Sequence, residues 1–143
     1  MGFDGSTRTA IIYDSGSEYF TGTTLEGIGQ SVVGVLLHPE ETRNRFIQVM
    51  SIKTCQKELL EAFEAVSGTK WAVRRDTTQD LLDRGQEKHR SGTGGWILDL
   101  VVAQLFQDGH GRSQVAASWE LSDADLVGVS KESTRDVAAK VLA

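Results

Sequence analysis

The sequence predicts an α/β fold in which short strands alternate with helices before the chain becomes mostly helical. Two observations support it: β-prone runs and amphipathic runs alternate over about 1–76, and helical patterns dominate about 77–143. With 143 residues, 39% hydrophobic and 24% charged, the chain can form one domain with its own core or part of a larger one. We therefore treat residues 1–143 as a single domain portion with about four to five helices.

The first elements are predicted to be a hairpin and a helix. A β-prone run at 10–13 is followed by turn residues at 14–17 and by a second short run at 18–21, which predicts two paired strands. Thr23 and Glu26 have the spacing of a capping box before a helix at 24–37. Pro39 is expected to end that helix. Its apolar stripe is Leu25, Ile28, Val32, Val35 and Leu36.

The middle of the chain predicts strand, helix, strand. Residues 46–50 are apolar at most positions, which favours a strand buried on both sides. The following helix has an apolar stripe from Leu59 to Val66 and a glycine, Gly68, at the position that favours a left-handed C-terminal residue. Alternation then predicts a strand at 71–75.

The second half predicts helices. Thr78 is expected to cap a polar helix that runs to about Glu87, and a short closing helix is expected near Val137–Leu142. The segment 96–106 predicts a helix that is apolar nearly all round, which is typical of a helix buried in a larger assembly or against a partner. Residues 108–111 are expected to form a loop.

Charge and cysteine content exclude several classes of function. The net charge of −5, with no basic block, disfavours a nucleic-acid or membrane-surface partner. The single cysteine, Cys55, cannot close an intrachain disulfide, and no signal-peptide pattern follows Met1, so a reducing, cytoplasmic setting is expected. No apolar run is long enough to span a membrane.

The sequence favours neither a phosphate site nor a metal site. The glycine-rich stretch 92–95 precedes a helix, where anions are favoured, but no strand comes before it and Ile97 stands where the third fingerprint glycine is needed, so a flexible break is favoured over a phosphate site. No metal site is predicted, because none of the three histidines has a second histidine at ligand spacing. The glutamates Glu58, Glu61 and Glu64 are expected to form a solvated helix face.

Four residues are candidates for substrate binding. Trp96 and Phe106, with Trp119, could line an apolar pocket for a flat ligand, although core packing is the commoner role of such residues. His110 lies between Gly109 and Gly111, which permit close approach to a ligand, and Asp108 could orient its imidazole; a solvent-exposed loop is the alternative. The substrate-binding candidates are therefore Trp96, Phe106, Asp108 and His110, and no catalytic residue is assigned.

The order and spacing of several short motifs resemble the C-terminal half of fungal NmrA-like, isoflavone-reductase-like proteins, over about residues 2–142. The matching motifs are RTAIIYD at 8–14, GIG at 27–29, HPEET at 38–42, SGTKW at 67–71 and DGHG at 108–111. The resemblance implies an atypical short-chain dehydrogenase/reductase, in which an N-terminal Rossmann domain binds NADPH and a smaller C-terminal part covers the substrate. The chain is then the substrate-side portion of an NAD(P)-binding Rossmann-type reductase, without the N-terminal Rossmann core.

The sequence lacks the Rossmann glycine fingerprint, which indicates that this chain alone does not bind the cofactor. Hydride transfer requires a nicotinamide held against the substrate, and the resemblance places both the phosphate-binding turn and the catalytic lysine before Met1. The expected function is therefore the substrate portion of an NADPH-dependent oxidoreductase of secondary metabolism, truncated and inactive alone, which binds a small aromatic or phenolic metabolite but no cofactor by itself.

Two alternatives belong to other classes. One is a non-catalytic NmrA-like regulatory or interaction module that uses the apolar helix 96–106 to bind a partner protein or a second copy of itself. The other is a small stand-alone binder of an aromatic metabolite, with Trp96, Phe106 and His110 around the ligand. Sedimentation and tryptophan fluorescence distinguish these alternatives.

Overall fold

The computed structural model describes residues 2–143; Met1, the first residue of the predicted domain, lies outside the described residues. The strands are β1 (Phe3–Asp4), β2 (Thr9–Tyr13), β3 (Phe20–Gly22), β4 (Ile52–Thr54) and β5 (Ala72–Asp76). The helices are α1 (Leu25–Leu37), α2 (Pro39–Thr42), α3 (Gln56–Ser67), α4 (Thr78–Arg90), α5 (Trp96–Phe106) and α6 (Thr134–Leu142). The predicted α/β class with short strands is confirmed. Helix α2 is a four-residue turn, and the other five helices match the expected number.

The strands form two small sheets. One sheet has the order β1-β2-β5, with β2 antiparallel to β1 and parallel to β5. The other is an antiparallel pair of β3 and β4, in which Phe20 lies opposite Thr54 and Thr21 opposite Lys53. The predicted hairpin between 10–13 and 18–21 is therefore wrong, because these two runs belong to different sheets. Local turn chemistry at 14–17 could not show that each run has a distant partner.

The buried core has three clusters, of which the third is formed by Ala124, Val127 and Val129 next to Val35 of α1. In the first, Phe63 of α3 stacks on Trp71 with ring centroids 4.9 Å apart, and Ala138 of α6 is buried beside them. In the second, Phe106 of α5 stacks on Tyr13 at 5.9 Å and meets Phe20 edge-on. Burial of these rings supplies much of the stabilisation of the fold.

Gln56 fastens the start of α3 to β2. Its side chain is fully buried, its Oε1 accepts a hydrogen bond from the backbone N–H of Tyr13 at 2.9 Å, and its Nε2 donates to the carbonyl of Ile11 at 3.0 Å. The amide therefore pairs with β2 beyond the end of the short strand β1, where the backbone groups would otherwise be buried without partners.

Several predicted boundaries are confirmed or corrected. Helix α5 has the predicted limits, and Gly68 ends α3 with a left-handed backbone, φ 66°. The predicted strand at 46–50 is wrong: this segment is irregular, Phe46 is 98% exposed, and the strand begins only at Ile52. The apolar composition of 46–50 therefore predicted neither the position of the strand nor the burial of the segment, because burial depends on what packs against it.

The helix caps lie one residue away from two predicted positions. Thr24, not Thr23, accepts from the N–H of Gly27 at the start of α1, and Thr77, not Thr78, accepts from the N–H of Asp80 at the start of α4. Helix α1 ends before Pro39, as expected, but Pro39 then begins α2. None of the helices in the described part of the chain is long and apolar enough to cross a membrane.

Candidate functional site

The ribbon of β3 and β4 separates two pockets, because alternate side chains of a strand point to opposite faces. Ile52 and Thr54 line one pocket, and Ser51 and Lys53 line the other. The other side of the ribbon follows the same rule: Phe20 of β3 lines the pocket of Thr54, and Tyr19, immediately before β3, lines the pocket of Lys53. Each pocket has a volume of about 320 Å³, which is the size of small-ligand sites.

The first pocket, here called the apolar pocket, is lined almost entirely by hydrocarbon. Its walls contain four phenylalanine rings and one hydroxyl group; the lining residues are Phe3, Phe20, Ile52, Thr54, Leu59, Phe63, Phe106, Val137 and Val141. The hydroxyl of Thr54 donates to Glu58 at 3.1 Å, so its oxygen remains able to accept a hydrogen bond. Such walls suit a flat apolar ring that carries one hydroxyl group.

The second pocket, here called the polar pocket, carries charged groups beside aromatic rings. The ammonium of Lys53 lies 5.7 Å from the centre of the Tyr19 ring, and that of Lys131 lies 5.8 Å from the centre of the Trp119 ring. Lys53 also donates to the carbonyl of Ala117 at 2.7 Å, which holds the segment before Trp119 against the ribbon. This pocket can bind polar groups of a ligand.

Glu58 connects the two pockets. Its carboxylate accepts from the Tyr19 hydroxyl at 2.6 Å and from the Thr54 hydroxyl at 3.1 Å. The hydrogen bond to this carboxylate, together with its negative charge, raises the pKa of Tyr19, so the Tyr19 hydroxyl stays protonated as a donor. The predicted solvated face of α3 is therefore wrong at Glu58, and also at Glu64, whose carboxylate accepts from the backbone N–H of Trp71.

The structure separates the four predicted substrate-binding residues. Phe106 is buried and forms part of the wall of the apolar pocket. Trp96 lies at the other end of α5, about 15 Å away by the helical rise, and contacts the ring of His89 at 4.5 Å. Asp108 and His110 lie on the exposed loop after α5. Of these four residues, Phe106 lines the apolar pocket, and the other three line neither pocket of the ribbon.

The loop at 108–111 is fastened to the turn that follows β2. The Asp108 carboxylate accepts from both the backbone N–H and the hydroxyl of Ser15, at 3.0 and 2.8 Å. The carboxylate of Glu18 accepts from the N–H groups of Gly109 and Gly111, each at 2.7 Å. The Asp108 carboxylate therefore positions the loop through Ser15, while the His110 side chain is exposed.

The glycine-rich stretch 92–95 before α5 does not fit the phosphates of a dinucleotide. The stretch 92–95 connects α4 to α5 with no strand before it, and the N–H of Thr93 already donates to the carbonyl of Lys88 at 2.8 Å. No group of three histidine, cysteine, aspartate or glutamate side chains within residues 2–143 is placed to hold a metal ion. Cys55 is a buried free thiol.

Sequence reasoning missed Tyr19, Thr54 and Glu58, the residues that join the pockets. The signal was present in the alternation Met50-Ser51-Ile52-Lys53-Thr54, which is typical of a strand with one apolar and one polar face. The more apolar stretch immediately before it drew the strand prediction to 46–50 instead.

Comparison with known proteins identifies homologues along almost the whole chain. The oxidoreductase poxI of Penicillium oxalicum is 59% identical over 142 residues, which are 99% of this chain and 45% of that protein; the same protein from strain 114-2 gives the same values. The chain is a homologue of proteins named oxidoreductases. The oxidoreductase aprR of Aspergillus flavus is 32% identical over 88 residues, which are 62% of this chain and 28% of that protein.

The chain spans less than half the length of the curated relatives that it matches. A solved structure, a nucleoside-diphosphate-sugar epimerase from Staphylococcus aureus, has the same fold over 94% of this chain and 44% of its own, with a TM-score of 0.61 and 15% identity. No protein-family model matches the chain. The predicted α/β portion of a larger reductase-type fold agrees with both comparisons.

Proposed function

We propose that the chain is the substrate-side portion of an NmrA-like, isoflavone-reductase-like, NADPH-dependent oxidoreductase of secondary metabolism. One observation carries this proposal: 99% of the chain aligns at 59% identity with a protein named oxidoreductase, of which it covers only 45%. The cofactor is bound by the remainder of such a protein, since the glycine stretch of this chain does not form a phosphate cradle. The setting is cytoplasmic, in keeping with a free buried cysteine.

The proposed substrate is a small aromatic or phenolic metabolite, and the proposed site is the apolar pocket. Four rings, including that of Phe106, can contact a flat ligand from several sides, and the Thr54 oxygen can accept a hydrogen bond from a phenol. His110 and Asp108 are proposed to affect substrate binding indirectly, through the position of the loop that follows Phe106. Trp96 would contact only a ligand that extends along α5.

The chain on its own does not oxidise NADPH. Without the cofactor-binding portion it cannot hold a nicotinamide within contact distance of a substrate, and that orientation supplies a large share of the rate. The contribution of this chain to the reaction is therefore to bind and orient the substrate and to exclude water from the apolar pocket.

A chimera tests the proposal. The 142 matching residues of the Penicillium relative are replaced by the homologous residues of this chain, and NADPH oxidation is measured with a panel of phenolic and quinonoid compounds. The chimera should oxidise NADPH with at least one compound, and a Phe106→Ala variant should raise its KM. Clear turnover by the isolated chain, or a folded, NADPH-binding chimera without turnover of any compound that the relative itself accepts, would contradict it.

A second candidate is a non-catalytic regulatory or interaction module. The observation that favours it is the apolar surface of α5, where Ile97, Leu98 and Val101 are all more than half exposed. A partner protein or a second copy of the chain would bind there. Sedimentation of the isolated chain at several concentrations tests it, and a monomer with little dye-accessible apolar surface would argue against it.

A stand-alone binder of an aromatic metabolite is the remaining alternative, and it shares the apolar pocket with the main proposal. Titration of the tryptophan fluorescence with phenolic ligands tests it. Saturable quenching that disappears in Phe106→Ala would support binding by the chain alone, whereas an unchanged signal in both proteins would count against it.

A further inference from the structure

The strongest apolar stripe of α1 faces away from the rest of the chain. Gly27 and Gly34 are the buried residues of this helix, and they lie seven residues apart on one side of it. At about 100° per residue, Leu25, Val32 and Leu36 lie roughly opposite to Gly34. Leu25 is 89% and Leu36 75% exposed.

The close packing at Gly34 explains why the glycine-containing side of α1 faces inward. A Cβ atom at Gly34 would lie 2.0 Å from the carbonyl oxygen of Val127, which no side chain could tolerate without displacement of the backbone. A Cβ at Gly29, on the outer side, would contact nothing within 4 Å. The close approach therefore determines the orientation of α1 and leaves most of its large apolar residues outside, with Val35 as the partly buried exception.

Six large apolar residues of the 13-residue helix remain exposed: Leu25, Ile28, Val32, Val33, Leu36 and Leu37. A helix that is apolar on most of its circumference is normally buried on several sides. A contiguous exposed surface of this kind marks an interaction site rather than the scattered apolar residues of an ordinary surface.

The charge of α1 restricts what can cover it. Its one charged residue is Glu26, and the Glu26 carboxylate is already paired with Lys140 at 2.7 Å. The outer face therefore offers no charge to a partner, so the covering surface must be apolar as well.

Two grooves flank the helix. One, of about 260 Å³, has Val32 and Leu36 in its wall, and the other, of about 390 Å³, has Val33 and Leu37. An occupant that fills both grooves must extend across the helix, as the face of a sheet does and as a single strand does not.

We propose that the outer face of α1 is the surface against which the remainder of a longer oxidoreductase chain packs, through the apolar face of a sheet. This inference rests on the proposed function. The length of the relatives supports this occupant, because more than half of the Penicillium protein lies outside the match and is long enough to contain a further sheet. It assigns the interface to α1, whereas the sequence pointed to α5.

Thiol labelling tests the inference in the isolated chain and in the full-length chimera described above. Val32→Cys reports on the outer face of α1, Leu98→Cys reports on the competing face of α5, and Leu121→Cys, at a 69% exposed position outside both helices, is the matched control. The native Cys55, which is 4% exposed, reports on folding in every variant.

In the chimera, the thiol at position 32 should react at least about tenfold more slowly than that at position 121, because a covered side chain reacts only after local opening. In the isolated chain the two thiols should react at similar rates. Equal rates in the chimera, or protection at position 98 while position 32 stays reactive, would overturn the inference.

A second copy of the chain is the alternative occupant. Concentration-dependent protection of position 32 in the isolated chain, together with a dimer in sedimentation, would also overturn the inference. Labelling does not depend on turnover, so the two proposals can fail separately. A folded, NADPH-binding chimera that turns over none of the compounds accepted by the relative, yet protects position 32, contradicts the proposed function and leaves the inferred interface intact.

Discussion

Helices α1 and α3 both carry an apolar stripe, but the stripe of α3 faces the core and that of α1 faces outward. In α3, Phe63 is buried against Trp71, and Leu59 and Leu60 pack around the same cluster. In α1, Leu25 and Leu36 point outward, while Gly27 and Gly34 contact the rest of the chain. An amphipathic pattern therefore shows that a helix has a face to bury, but it does not show which surface buries it.

Helix α3 has large residues on its buried face, whereas the buried residues of α1 are glycines, with Val35 partly buried beside them. Interaxial and backbone distances are set by the residues at the contact, so glycines allow the backbone of α1 to approach Val127 directly. The outer residues of α1 then remain free for a second layer. In this respect α3 completes the core of the chain, and α1 joins that core to another surface.

The largest expected effect comes from removing the central ring of α3. Phe63→Ala should reduce the free energy of unfolding of the isolated chain by about 3–5 kcal/mol, because it removes buried area and leaves a cavity beside Trp71. Leu36→Ala on the outer face of α1 should change it by less than about 0.5 kcal/mol. Urea unfolding measures both, and a cost at Leu36 near that at Phe63 would refute the contrast.

A pair of glycine substitutions separates the two sides of α1. Gly34→Ala should destabilise by about 1–3 kcal/mol, because its Cβ collides with the Val127 carbonyl. Gly29→Ala should stabilise by about 0.5–1 kcal/mol, since it adds helix propensity where there is open space. Thermal unfolding of the two variants gives the comparison, and equal behaviour of the pair would mean that α1 is not oriented by Gly34.

The attachment of α1 depends on a partly buried carboxylate. Burial acts to raise the pKa of Glu132, but hydrogen bonds from Lys140, Thr24 and Ser51 outweigh it and lower the pKa below the ordinary 4.5. Thr24 is the N-cap of α1, and its hydroxyl donates to Glu132 at 2.6 Å. A lowered native pKa stabilises the fold above the unfolded-state pKa, and this stabilisation is lost as the pH falls through the native value.

Glu132→Gln should therefore reduce the free energy of unfolding by about 1–3 kcal/mol at pH 7. The difference from the unsubstituted chain should shrink as the pH falls below about 4.5, where the unfolded carboxyl becomes protonated. Urea unfolding between pH 7 and pH 3 measures the trend. Glu26→Gln, at the more exposed partner of Lys140, is the control and should cost less than about 0.5 kcal/mol; a pH-independent difference for Glu132→Gln would contradict the assignment.

The smallest expected effect concerns how the two helices end. Helix α3 ends at Gly68 with φ 66°, whereas α1 ends at His38 before Pro39 and needs no left-handed residue. Gly68→Ala should cost about 1 kcal/mol, because alanine is disfavoured in that conformation. Gly94→Ala, where there is open space and no positive φ, should be close to neutral; matching losses at the two positions would exclude a conformational cause.

Part of the candidate site was readable in the sequence. Phe106 was expected either beside a pocket or in the core, and the structure places it in the core, where it also borders the apolar pocket; its role in substrate binding stays a prediction. The loop at 108–111 was expected where it is found. The linkage of Tyr19, Thr54 and Glu58 was not predictable, because these residues lie before β3, in β4 and in α3, which meet only when β3 pairs with β4. Likewise, the role of Asp108 as an acceptor for Ser15 joins positions 93 residues apart.

The sequence by itself determined the α/β class, the limits of α5 and the left-handed end of α3, since periodicity, capping and glycine conformation act within a few residues. The tertiary structure decided which strands pair, which residues meet at the pockets and which side of α1 is buried. Strand pairing and helix orientation depend on contacts between distant residues, such as Gly34 with Val127, and a local pattern is compatible with more than one such contact.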